Sequence, residues 1–437
     1  MRTTFSSALL SIVVFGSLGN ACSSQDVEQW AKSNLTSLIE VYVHLHKNAE
    51  LSFQEKETGQ YVADKLEAAG CEVTRSVGGH GVVGILANGD GPLVMVRCDL
   101  DGLPITEQTG LAFASKKTAT EADGSTVGTM HACGHDVHMT SMIGVAQYLA
   151  SSKASWNGKI MFIGQPAEER GAGARAMLDD KLFERFGKPN YALALHCSSS
   201  LASGRVGLIP GFTMANVDSI DVEIVGKGGH GAYPHTTIDP IVIAAKLILD
   251  LQTIVSREMK PIEPAVVTVG AIHAGTKHNI IPDRCHLQIT VRSYSDSVRK
   301  SILDSIRRKA DAAAMSAGAE KPEITISEGT PALSNDAELT ERIRNVFVDK
   351  FGAEKVAKTE PVMGGEDFSQ FGRAGVPSLM FELGVVEPRK LEYYNQQQIV
   401  PPSLHTATFA PDVERALPVG IIAMSRAVLE LLDKPKK

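Results

Sequence analysis

The chain has 437 residues, 43% hydrophobic and 21% charged, an ordinary globular composition with room for two or three domains. The net charge is a modest -7 and no Lys/Arg-rich block occurs, so composition gives nucleic-acid binding no support.

The first residues differ from the rest. Arg2 is followed by an apolar run over residues 8–15 and then by small residues as far as Ala21. A short basic start, an apolar stretch and a small-residue exit are the marks of a secretory signal. The run is too short for a good spanning helix. The expectation is therefore an exported protein, periplasmic or secreted, with residues 1–21 removed. Cys22 adds the alternative of lipid attachment, which is the one route to a membrane. The other cysteines are Cys71, Cys98, Cys133, Cys197 and Cys285, with no close spacing that suggests a disulfide framework.

Past the signal, residues 27–49 and 55–69 read as helices, the second ended by Gly70. Strands follow over 71–75 and 82–87. Three short apolar runs then end in acidic or metal-binding residues. Val94-Met95-Val96 precedes Arg97-Cys98-Asp99-Leu100-Asp101, and Ile160-Met161-Phe162-Ile163 precedes Gln165-Pro166-Ala167-Glu168-Glu169. Ala192-Leu193-Ala194-Leu195 precedes His196-Cys197. Such runs read as buried strands. Helical stretches at 139–150 and 172–178 between them predict a mostly parallel α/β sheet flanked by helices.

From about 212 the pattern changes. Ile220, Val222 and Ile224 alternate with polar residues. Then come a helix over 240–255, strands over 266–272 and 285–291, a helix over 298–317 and a strand over 323–327. Strand, helix, two strands, helix, strand is the split pattern of a small α+β sandwich. The expected organisation is a catalytic domain over 22–211 and 329–437, with 212–328 inserted as a second domain. The returning part carries a helix over 337–351, a strand over 378–383 and a long helix over 410–432, with a break expected near Pro418.

In open parallel sheets the site lies beyond the carboxyl ends of the strands. The acids and imidazoles fall there, so the chain reads as a metallohydrolase. Cys133 and His135 sit two apart at a helix entry and can face one site. With Glu168-Glu169 and His196 at separate strand ends, the set suits a divalent metal with an open position for water. In the glutamate pair, one carboxylate can bind metal while its neighbour takes the water's proton. Asp101 is expected to orient a metal-bound imidazole. For Asp99 a turn role competes. His138 is expected to be a hydrogen-bonded core histidine, and His131 is left open. Carboxylates at widely separated positions exclude a structural zinc site built from paired short loops.

Seven strings, in order, resemble the co-catalytic metallopeptidase superfamily, in particular its amidohydrolase branch with hippurate hydrolase, N-acyl-L-amino acid amidohydrolases and indole-acetyl-amino-acid hydrolases. They are Arg97-Cys98-Asp99-Leu100-Asp101-Gly102-Leu103-Pro104-Ile105, His131-Ala132-Cys133-Gly134-His135-Asp136, Gln165-Pro166-Ala167-Glu168-Glu169, Leu195-His196, Gly228-Gly229-His230-Gly231-Ala232-Tyr233-Pro234-His235, Asn279-Ile280-Ile281-Pro282 and Gly364-Gly365-Glu366-Asp367-Phe368. The resemblance implies two divalent metal ions held by Cys133, His135, Glu169, His196 and His405, with Glu168 as general base and Asp101 behind the ligands. Zinc or manganese suits such a donor set, and cobalt or nickel is tolerated. It also implies a homodimer through the inserted lid domain, whose His230 reaches the partner's site to hold the oxyanion. Asn279 and Arg292 become candidates for the substrate's carboxylate, with Gly365 a further substrate-binding candidate. Departures are Cys98, Gly102, Cys197-Ser198-Ser199-Ser200 and the segment around His405.

The expected activity is hydrolysis of the amide of an N-acyl or N-aroyl amino acid by metal-activated water. A dipeptidase or exopeptidase using the same site is the nearest alternative. A catalytically silent peptide-binding receptor is the alternative of another class, and an intact Glu168 argues against it.

Overall fold

The structure, a computed structural model, describes residues 26–121 and 123–434. The expected signal segment and Cys22 lie outside the described residues.

Two helices, α1 (Val27–Lys47) and α2 (Lys56–Ala68), lead into β1 (Glu72–Val77), β2 (Gly81–Asn88) and β3 (Leu93–Asp99). Next come α3 (His135–Ser151), β4 (Gly158–Gln165), β5 (Tyr191–Ala202) and β6 (Val206–Gly207). The chain then leaves this sheet for β7 (Asn216–Val225), α4 (Pro240–Thr253), β8 (Ala265–Ala274), β9 (Arg284–Ser293), α5 (Asp296–Ser316) and β10 (Glu323–Glu328). It returns with α6 (Ala337–Phe351), β11 (Val356–Ala357), β12 (Ser378–Val386) and α7 (Val413–Leu431).

The large sheet has eight strands in the order β1-β2-β4-β3-β5-β12-β6-β11. Its centre, β4-β3-β5-β12, is parallel, and β1, β2 and β6 join antiparallel. Central parallel strands are covered on both faces, so their sequences are apolar throughout rather than alternating. Successive side chains still divide between two cores. Val94, Val96, Ile160 and Phe162 pack with Leu38, Tyr42, Ile143, Ile421 and Val428 of α1, α3 and α7. Met95, Met161 and Ile163 face Met177, Leu182, Phe368 and Phe371 on the other side.

The inserted sheet is fully antiparallel, in the order β8-β9-β7-β10. Ile220, Val222, Ile224, Leu287, Ile289 and Val291 point from it toward Leu247, Leu251, Ile302 and Ile306 of α4 and α5. Asp239 caps α4 by accepting from the Ile241 and Val242 amides, and Pro240 occupies the first turn. Such a cap contributes about 1 kcal/mol.

Several local expectations need correcting. β5 does not stop before His196 but runs on to Ala202, so His196 lies inside a strand. α3 begins at His135, the helix entry expected there, and so includes the residues before 139 as well. α7 continues through Pro418, its sixth residue, although proline there leaves the Glu414 carbonyl without an intrahelical amide donor. A helix at Pro388–Gln397, polar and without buried residues, was not foreseen. Cys71, Cys98, Cys133, Cys197 and Cys285 are all free and buried. Among the described residues no helix is long and apolar enough to cross a membrane.

Candidate metal centre

The candidate ligands converge where α3 begins, where the chain turns after β4, along β5 and in the loop before α7. Gly134 makes the first turn possible. Its φ is +83°, and a Cβ there would stand 2.7 Å from the Cys197 sulfur. Only glycine fits both demands, and it lets Cys133 and His135 flank the bend. Ala167 takes a φ of +50°, unusual for a residue with a side chain. Its amide donates to Glu55 Oε1 at 2.7 Å, which fixes the turn that presents Glu168 and Glu169. His405 also has a positive φ, +63°, and its amide donates to the Ala132 carbonyl at 2.9 Å.

Three of the five overlapping triads among the described residues are Cys133–His135–His196, Cys133–Glu169–His405 and His135–Glu168–Glu169. The Cys133 sulfur stands between two imidazoles, 3.5 Å from His196 Nε2 and 3.2 Å from His405 Nε2. Glu169 Oε2 lies 3.5 Å from His405 Nε2, and its Oε1 lies 3.8 Å from His135 Nε2. The tautomers follow from the back side of each ring. His135 Nδ1 donates to the Asp101 carbonyl at 2.8 Å, and His196 Nδ1 to the Cys197 carbonyl at 2.8 Å. Both Nε2 lone pairs therefore face the centre, the orientation a ligating histidine needs. His135 Nε2 and Glu169 Oε1 are buried with no hydrogen-bond partner. Unpartnered buried polar atoms are costly, and a divalent cation among them would satisfy both, so the residues fit a metal.

Asp101 contacts the candidate ligands His135 and Glu169, through its backbone carbonyl and its carboxylate respectively. Its Oδ1 is 3.5 Å from His135 Nδ1, while Oδ2 accepts from the Glu169 amide at 3.0 Å and the Ser52 hydroxyl at 2.6 Å. His138 has both nitrogens engaged, with Asp99 Oδ1 at 2.6 Å and the Cys197 amide at 2.9 Å. The grouping of Asp99, His135 and His138 is thus a hydrogen-bond network, not a second metal pocket. His131 Nδ1 sits 3.1 Å from the Asp101 carbonyl, and burial pushes that imidazole down to about 4.

Arg97 is the counter-charge that sequence reasoning quoted but gave no role. It is fully buried and contacts Gln165 Oε1 at 3.0 Å, Asp99 Oδ2 at 2.9 Å, Glu366 Oε1 at 2.9 Å and Asp367 Oδ1 at 3.1 Å. One guanidinium faces many acids. Burial, then the charges of Glu366, Glu169 and Asp367, hold the Glu168 carboxyl well above the carboxylate range. Burial also pushes Glu169 up to about 7, with His135 pulling the other way. Burial and the neighbouring Glu169 and Glu168 raise the Cys133 thiol. Acids crowded beyond their cations are what a cation-binding site looks like without its ion's charge. Glu168 makes no side-chain hydrogen bond among the described residues and lines the open cleft.

That cleft, about 810 Å³, runs from Cys133, Glu168, Glu169, His196 and His405 to the inserted sheet. Arg292 lines it, with Nε on the Thr290 hydroxyl at 3.1 Å. Gly365 lines it too, where a side chain would run into Val217 and Thr330. His230 and Asn279 do not line it. They are exposed on a separate two-stranded ribbon, where Gly229–His230 pairs with Ile280–Ile281. His230 Nδ1 there accepts from the Ala232 amide at 3.0 Å.

A sheet ending in a thiol, imidazole and carboxylate cluster beside an uncommitted glutamate defines a metal-dependent hydrolase. The pattern of peptidase family M20/M25/M40 matches residues 95–407, and the chain belongs to that family. It is 34% identical over 414 residues to thermostable carboxypeptidase 2 of Saccharolobus solfataricus, covering 94% of this chain and 97% of the relative. It is 38% identical to the hippurate hydrolase of Campylobacter jejuni over 331 residues, 75% of this chain and 82% of that one. A crystal structure of a Bacillus subtilis protein, described as a dinuclear metal binding peptidase from the M20 family, superposes with a TM-score of 0.75. Identity there is 32%, over 92% of this chain and 99% of that one. The protein is therefore a metal-dependent amidohydrolase or metallopeptidase acting on linear amides, with the two-sheet architecture of its family.

Proposed function

We propose that the protein hydrolyses the amide bond of N-acyl amino acids with two divalent ions, zinc or manganese foremost. Cys133, shared by two triads, would hold them together with His135, Glu169, His196 and His405. The sulfur's position between two imidazoles is the observation that carries this reading. The ions supply Lewis acidity and lower the pKa of water at the site. Glu168, whose carboxylate makes no hydrogen bond among the described residues, takes the proton and returns it to the departing nitrogen. Arg292 offers its outer guanidinium nitrogens to the substrate's carboxylate in fork geometry. Relatives named hippurate hydrolase and N-acetyl-L-cysteine deacetylase favour the N-acyl class. A relative named carboxypeptidase keeps dipeptides as the alternative.

The reading includes a homodimer. What supports it is the exposed apolar surface of the inserted domain, with Ile241, Val242, Leu249 and Ile272 open to solvent beside the edge strand β8. Exposed apolar patches of this kind mark contact sites. His230 and Asn279 would then serve the partner's cleft, His230 as an oxyanion donor worth roughly 3 kcal/mol. The reading also includes export, supported by residues 1–21 alone.

The test is release of amino acid from a panel of N-acyl amino acids and dipeptides, with metal, with chelator and with Glu168→Gln. Chelator-sensitive release that falls about 10²- to 10⁴-fold in Glu168→Gln, at unchanged metal content, is expected. Equal release by Glu168→Gln removes that residue as the base. No release from any substrate with metals bound points to a different amide substrate or to the receptor alternative.

A further inference from the structure

A second cavity, about 660 Å³, opens beside the cleft and shares His196, Met214, Val362 and Leu404 with it. A group attached to a carbonyl at the metal centre can therefore enter it. Its walls include Leu201, Met380 and the Ser198–Ser200 run in which this chain departs from the resembling branch. Three charged residues line it. Lys358 and Glu360 are exposed, whereas Glu382 is half-buried.

Glu382 has a specific placement. On β12 it is the direct register partner of His196 on the parallel neighbour β5. Paired residues on adjacent strands project from the same face, about 5 Å apart. The carboxylate thus lies on the His196 side of the sheet, inside the cavity. No hydrogen bond or ion pair of the described residues engages its side chain, although β12 is otherwise buried from Ser378 to Val385. The carboxylate is therefore open to a hydrogen bond from a ligand in the cavity.

Resting on the N-acyl amino acid reading, we propose that this cavity takes the acyl chain of the substrate and that Glu382 selects chains ending in a primary ammonium. Leu201, Met214, Met380 and Leu404 would cover the methylenes, and the carboxylate would accept a charge-assisted hydrogen bond from the end group.

The experiment compares kcat/KM for N-(6-aminohexanoyl), N-heptanoyl and N-pimeloyl derivatives of one amino acid, with chains of matched length ending in ammonium, methyl and carboxylate. The ammonium substrate is expected to exceed the methyl one by about tenfold or more, with the carboxylate substrate slowest. In Glu382→Gln, verified as folded by its thermal unfolding, the ammonium-to-methyl ratio should fall toward one. Equal rates, a preference that survives Glu382→Gln, or preference for the pimeloyl chain, which would implicate Lys358, overturns the proposal. If no acyl chain turns over, the N-acyl amino acid reading fails. Calorimetric binding of 6-aminohexanamide against heptanamide then decides the pocket separately: tighter binding of the amine upholds it, and equal binding ends it.

Discussion

Arg97 offers the sharpest test of how the centre is held together. It lies on β3 with no solvent exposure of its side chain, joined to Asp99, Glu366 and Asp367 as ion pairs and to Gln165 by a hydrogen bond. Burial works against its charge, but Glu366, Asp99 and Asp367 outweigh that and hold the guanidinium firmly protonated. Arg97→Met keeps the volume roughly and removes the cation, leaving three acids in the interior without it. Breaking a buried pair in this way costs about 3–5 kcal/mol, mainly from the uncompensated charge left behind. Arg97→Lys keeps the charge but replaces a planar fork with a single point, so it should fall between.

The two tryptophans make the assay selective. Trp30 and Trp156 both pack in the core under α1 and α3, so their fluorescence reports unfolding of the catalytic domain alone. Urea titration of metal-free protein should show the midpoint falling in the order wild type, Arg97→Lys, Arg97→Met. A loss below about 1 kcal/mol for Arg97→Met, the level of a surface ion pair, would refute the idea that one cation neutralises this cluster.

Cys133→Ala should lose both ions together, whereas His405→Ala should lose one, as read by elemental analysis after gel filtration. His46, buried between Asp136 at 2.7 Å and Glu107 at 3.2 Å, has its imidazole lifted to about 9, because those acids outweigh burial. A raised folded value stabilises below the unfolded value near 6.5 and is lost as pH rises through about 9. The unfolding free energy from urea titration should therefore drop by at most about 3 kcal/mol over that window, and His46→Phe should flatten the drop. Gly365→Ala would force a methyl into Val217 and Thr330, so activity should fall at least about tenfold with metal content intact.

The sequence made the two-sheet plan readable because each layer has its own period. Val94–Val96 and Ile160–Ile163 are continuous apolar runs, as strands covered on both faces must be. Ile220, Val222 and Ile224 alternate, as a one-sided sheet demands, and they are buried while their neighbours are not. The end of β5 was not readable. Ser198, Ser199 and Ser200 look like a turn, yet they remain in the strand because Gly384 and Leu383 of β12 pair with Ser198 and Cys197. Tertiary pairing there overrides local preference.

Within the centre, legibility followed distance along the chain. Cys133 and His135, or Glu168 and Glu169, are close in sequence, and their spacing alone suggests a shared site. The groups that hold them have no such signature. Glu55 fixes Ala167 from 112 residues away, and Arg97 meets Glu366 across 269. Arg97 did carry one usable signal, since a charge inside a buried strand demands a partner. Nothing local named that partner. His138 shows the converse, for it has ligand chemistry and helical spacing from His135. It is withdrawn from the centre because the Cys197 amide, on a different strand, occupies its second nitrogen. Which histidine keeps a free lone pair is decided by the backbone groups behind the ring, and those are assembled only when β3, β5 and α3 come together.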